Sequence, residues 1–136
     1  MSKYHSSSHT TYNIGYHVVF CPKYRYNMLR GAYANMLGKL FQEKASDLGI
    51  TIQTMEVMPD HVHLFVVATP ITPIKRIVKQ LKGYSSYNLK RCFTYLRKYP
   101  SLWACSYFAE SVGHISEKTV VKYIASQKSK TLSSPG

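Results

Sequence analysis

Acidic residues are scarce in this chain. Six Asp and Glu stand against 18 Lys and Arg in 136 residues, a formal net charge of +12. The six are Glu43, Asp47, Glu56, Asp60, Glu110 and Glu117, and they show no suggestive grouping. Strand transfer of the two-metal carboxylate type, which needs three clustered acids, is therefore disfavoured. Cysteine is sparse too. Cys21, Cys92 and Cys105 are odd in number and form no CxxC pair. This argues against a disulfide framework or zinc knuckle and for a reducing cytoplasm. Long apolar runs are missing, since a stretch such as Val62 to Ala68 is too short to span a bilayer. The N-terminal MSKYHSSSHTTYN has no apolar segment and does not read as a secretory signal. No GxxxxGK[ST] loop is present, so nothing suggests nucleotide hydrolysis. With no repeat and no linker, residues 1–136 read as one domain, with flexible tails expected at 1–10 and 129–136.

What is there can fold and can meet a polyanion. Hydrophobic residues make up 45% of the chain, enough for a core. The positive excess favours nucleic acid as partner. A membrane surface would satisfy the charge as well, but no segment pairs a basic face with the Trp-rich apolar face of an interfacial helix. The 12 tyrosines add flat surfaces on which bases can stack.

Hydrophobic periodicity orders the elements. Residues 11–20 alternate, with Ile14, Tyr16, Val18 and Phe20 on one face of a strand. Tyr33, Met36, Leu37, Leu40, Phe41, Ala45 and Leu48 recur at helical spacing over 30–48, and Gly49 suits the position after the helix. Residues 50–57 are β-prone, Pro59 and Asp60 mark a turn, and 61–68 form a strand. A long helical pattern runs from Ile74 to Leu96, and Gly83 with the serines after it could weaken the helix midway. A strand is expected over 104–112 and a short helix over 117–128, with Ser116 as N-cap. This order predicts an α+β fold: a ferredoxin-like antiparallel sheet with two helices on one face, plus a C-terminal helix.

The chemistry concentrates in Asp60-His61-Val62-His63-Leu64-Phe65-Val66. Alternation puts His61 and His63 on one strand face, where two imidazoles can share a divalent ion. Two polar residues on an exposed face would look the same. Two histidines also leave a site short of ligands. In the last helix, Tyr123 and Gln127 share a face. A glutamine oxygen suits Mg²⁺ or Mn²⁺ better than zinc. Most tyrosines are packing residues, so spacing alone does not make Tyr123 a nucleophile. Basic residues gather at Lys23 and Arg25 and along Lys75, Arg76, Lys79, Lys82, Lys90 and Arg91. They read either as a solvated face or as a phosphate-binding track.

Taken together, MPDHVHLFV, YHVVFCPKYR, QLKGYSS and SYFAESVGHISEKTVVKYIASQ resemble the HUH single-tyrosine transposases, over nearly the whole chain. The resemblance implies that His61, His63 and Gln127 hold Mg²⁺ or Mn²⁺ and that Tyr123 is the catalytic nucleophile. It implies hairpins of single-stranded DNA as substrate, and a homodimer whose C-terminal helix can serve the partner's histidines. Two other readings stay open at this point. One is a nucleic-acid-binding module without catalysis, which leaves the two histidines, Tyr123 and Gln127 unexplained. The other is a replication initiator or nickase with the same chemistry, usually a larger protein.

Overall fold

The computed structural model describes residues 13–23 and 28–113. The expected helix over 117–128, Arg25 and both tails lie outside them. The described elements are β1 (Ile14–Phe20), α1 (Gly31–Leu48), β2 (Thr51–Met58), β3 (His61–Ala68), α2 (Ile74–Cys92), a 3-10 turn (Thr94–Lys98) and β4 (Phe108–Gly113). The strands form one sheet in the order β2-β3-β1-β4, and each neighbouring pair is antiparallel. This is the ferredoxin-like arrangement expected from the element order.

Period-two burial explains the sheet. Val18 and Phe20 of β1 and Val62, Leu64 and Val66 of β3 turn inward. They meet Leu37, Leu40, Phe41 and Ala45 of α1 and Ile77, Val78, Leu81 and Leu89 of α2 in one core. Both helices therefore cover the same face, and the alternate residues of β1 and β3 look the other way. Gly49 ends α1 at φ 72°, with its N–H reaching the carbonyls of Ala45 and Ser46. A Cβ there meets no atom within 4 Å, so only backbone strain opposes a side chain. Gly49→Ala should cost roughly 1 kcal/mol, read as a lower urea midpoint with unchanged slope.

Two elements differ from the sequence reading. Helix α2 runs unbroken through Gly83 but ends at Cys92, and Leu96 lies in the separate 3-10 turn. Ser85 is buried in mid-helix because its hydroxyl donates to the Leu81 carbonyl (2.7 Å) while accepting from the Trp103 indole N–H (3.0 Å). The last strand begins at Phe108 rather than at 104. The segment before it is held instead by side chains. Trp103 stacks on Phe41 and meets Phe20 edge-on. The Lys82 ammonium donates to the carbonyls of Ala104 (2.7 Å), Cys105 (3.4 Å) and Ser106 (3.0 Å).

Candidate metal and strand-transfer site

The face of the sheet away from the helices carries the histidines. Cross-strand partners share a face, so the register places Val19 and Glu56 on either side of His63, Met58 beside His61, and Glu110 beside His17. His61 and His63 do share this face, as their spacing requires, with ring centroids 6.4 Å apart. The surface is not open. His63 is 6% exposed and His17 4%, and Phe65, the cross-strand partner of His17, is fully buried although it lies outside the main core.

His61 is oriented by its neighbour. The β2–β3 turn puts the Asp60 carboxylate 2.9 Å from His61 Nδ1. A carboxylate can only accept, so the ring carries its proton on Nδ1. That leaves Nε2 with a lone pair, and Nε2 is buried without a hydrogen-bond partner. A buried acceptor without a partner costs about 1–3 kcal/mol. A carboxylate behind one ring nitrogen and a bare lone pair on the other is the arrangement that metal-binding histidines adopt. The residues present therefore fit a divalent ion.

His63 is met by a third imidazole, His17 from β1, their Nε2 atoms in direct contact. The rings lie edge to face with centroids 4.0 Å apart. Burial, helped by the nearby His63, pushes the His17 pKa down to about 4, with Glu110 opposing. His63 is also lowered, mainly by burial, against the pull of Glu56. Both rings are thus neutral near pH 7, the form that offers a lone pair to a metal. His17 was not among the residues selected from sequence. Its signal was the alternation itself, since the inward positions Tyr16 and Val18 leave His17 on the opposite face. Among the described residues no three His, Cys, Asp or Glu side chains are grouped so as to hold an ion. Tyr123 and Gln127 lie outside the described residues.

The basic residues are distributed differently from the histidines. Lys75, Arg76 and Lys79 are exposed on α2, in the layer on the far side of the sheet from His61 and His63. Lys82 is tied down by its three carbonyl acceptors, and burial lowers its pKa. Its ammonium protons are already committed to the segment before β4. Lys23 is exposed just after β1, where its backbone N–H donates to the Leu102 carbonyl (2.8 Å). Among the described residues no helix is long and apolar enough to cross a membrane.

A match to the family described as IS200-like transposases spans residues 10–127. The chain belongs to that family. This IS200-like transposase is 38% identical to the ISDra2 transposase TnpA of Deinococcus radiodurans over 122 residues, covering 88% of this chain and 87% of that one. It is 30% identical over 125 residues to the transposase for insertion sequence element IS200 of Salmonella typhimurium, covering 90% and 82%. A crystal structure from Deinococcus radiodurans R1, of a protein taken to be a transposase, superposes with a TM-score of 0.69 at 32% identity, covering 93% of this chain and 98% of that one. The fold is shared more distantly with a REP-associated tyrosine transposase bound to a REP hairpin, at a TM-score of 0.60 and 14% identity, over 90% and 68%. DNA strand transfer in recombination is thus the activity of this chain's family. Membership of a transposase family disfavours the reading as a nucleic-acid-binding module without catalysis.

Proposed function

We propose that this transposase binds hairpins in single-stranded DNA and cuts and rejoins one strand through a 5′-phosphotyrosine. The observation that carries the metal-assisted part is the His61 ring, held by Asp60 at Nδ1 with a buried, unpartnered Nε2. His61 and His63 would hold Mg²⁺ or Mn²⁺, with Gln127 as the further ligand. A bound divalent cation supplies charge stabilisation at the scissile phosphate. The Tyr123 oxygen bonds to phosphorus as the bond to the 3′ oxygen breaks, and the proton that the phenol gives up passes by way of solvent to the departing 3′ oxygen. The products are a phosphotyrosine and a free 3′-OH. Rejoining is the reverse: a 3′-OH attacks phosphorus and Tyr123 leaves as phenolate. The ester energy is conserved throughout, so no ATP is required.

The test is a labelled single-stranded hairpin incubated with protein and Mg²⁺ or Mn²⁺. An SDS-stable protein–DNA adduct that disappears with EDTA is expected. Free cleaved DNA with no adduct under any condition would refute the covalent route.

Hairpin binding is assigned to Lys75, Arg76 and Lys79, exposed together on α2, to Lys23, exposed after β1, and to Arg25 on its charge alone; Lys82 is left out because three carbonyls hold its ammonium. About five phosphate contacts on single-stranded DNA give a slope of about −3.5 in log K against log salt, or roughly a hundredfold loss from about 50 to about 200 mM. Filter binding across that range measures it. A flat response is incompatible with this assignment.

We further propose a homodimer in which Tyr123 and Gln127 of one chain serve the histidines of the other. Mixing Tyr123→Phe chains with His61→Ala chains should then restore cleavage. In a trans heterodimer one site collects both lesions and the other is wild type. In a cis heterodimer every site carries one lesion, so purified heterodimers that stay inert exclude the trans arrangement.

A further inference from the structure

His17 is the residue on the histidine face to which no role has yet been given. It sits on β1, a different strand from the candidate ligands, almost fully buried. Its Nε2 is in contact with His63 Nε2, and its ring also packs edge-on against Phe108 of β4 at 6.5 Å between centroids. Surface histidines of the kind any basic protein carries are not placed this way.

The contact constrains protons. Between two neutral imidazoles, one Nε2 must donate and the other accept. An imidazole that accepts at Nε2 carries its own proton on Nδ1 and keeps no lone pair for a metal. For His63 to act as a ligand from this position, the shared proton has to be on His63 Nε2, with His17 accepting. His63 Nδ1 then retains its lone pair. The division of labour repeats that at His61, where Asp60 accepts from one nitrogen and the other stays bare.

We propose that His17 is a positioning residue. It accepts the His63 Nε2 proton, fixes that ring's orientation and tautomer, and so does for His63 what Asp60 does for His61. The inference rests on the metal reading of His61 and His63 given above. It adds a residue from a third position in the chain to the machinery that prepares the ligands. Partners of this kind typically contribute 10–100-fold to metal affinity.

The experiment is Mn²⁺ titration of the full chain followed by EPR, with ¹⁵N-histidine NMR of the metal-free protein. Wild type should bind Mn²⁺, and His17→Ala should bind it about 10–100-fold more weakly. His17→Gln, whose amide oxygen can accept the same proton, should recover most of the loss. A merely space-filling role would not distinguish the two by their hydrogen bonding. At saturating Mn²⁺, pulsed EPR should count the same coupled imidazoles in wild type and His17→Ala. NMR should place the His63 proton on Nε2. Unchanged affinity in His17→Ala, a His63 proton on Nδ1, or one fewer coupled imidazole in His17→Ala each overturn the proposal, the last by making His17 a ligand. Should His17→Ala fail to fold, His17→Gln and the wild-type tautomer decide. A wild-type protein that binds no Mn²⁺ would sink the metal reading itself, while the tautomer measurement would still test the His17–His63 pairing.

Discussion

Tyr123→Phe should abolish strand cleavage and the covalent adduct while leaving hairpin affinity within about twofold. The variant differs from wild type by one hydroxyl oxygen. If that oxygen is the nucleophile, no neighbouring group can replace it, and the loss should be roughly a thousandfold or more. Binding should survive because phosphate contacts, not the nucleophile, supply most of the affinity for nucleic acid. The expected signature is therefore a gel-shift indistinguishable from wild type beside an empty adduct lane. Residual cleavage at the wild-type position would move the nucleophile elsewhere. With 12 tyrosines in the chain, loss of the adduct on changing this one alone is a specific result.

The sheet and both packed helices could be read from the sequence because each carries an unambiguous period. Val62, Leu64 and Val66 alternate, and Leu37, Leu40 and Phe41 recur at helical spacing, and all of them are buried in the core. The placement of His61 and His63 on one face followed from the same alternation. Two things were hidden for physical reasons. The ferredoxin-like reading already sets β1 beside β3, but a strand order fixes no side-chain contact, so the meeting of His17 with His63 was hidden. Without that neighbour, His17 looked like one more polar residue in a strand. The start of β4 was hidden because tertiary contacts override strand propensity there. Cys105 and Ser106 direct their carbonyls to the Lys82 ammonium. The same contact changes how Lys82 is understood. By charge and spacing it belongs with Lys75 and Lys79. By its hydrogen bonds it fastens α2 to the approach to β4, and no sequence pattern separates those two uses of a lysine. The assignments of Tyr123 and Gln127 come from the resemblance alone.

His61→Ala should eliminate tight Mn²⁺ binding and reduce metal-dependent cleavage by roughly a hundredfold or more. His61 and His63 are not equivalent targets. His63 is almost fully buried against His17, so truncating it leaves a void and a partner without its hydrogen bond, at a cost in stability of about 1–3 kcal/mol. His61 is only half-buried and its one described hydrogen bond goes to Asp60, itself half-buried at the turn. Removing it releases a carboxylate that water can reach, so the melting temperature should change little. A lost reaction in a protein that still melts like wild type then reports on chemistry rather than folding. Hairpin affinity at fixed salt should also persist, because Lys75, Arg76 and Lys79 lie in the helical layer beyond the sheet. The deciding measurement is a Mn²⁺ titration of His61→Ala beside wild type. If the variant takes up Mn²⁺ with wild-type affinity, the bare Nε2 of His61 is not a metal ligand and its burial needs another explanation.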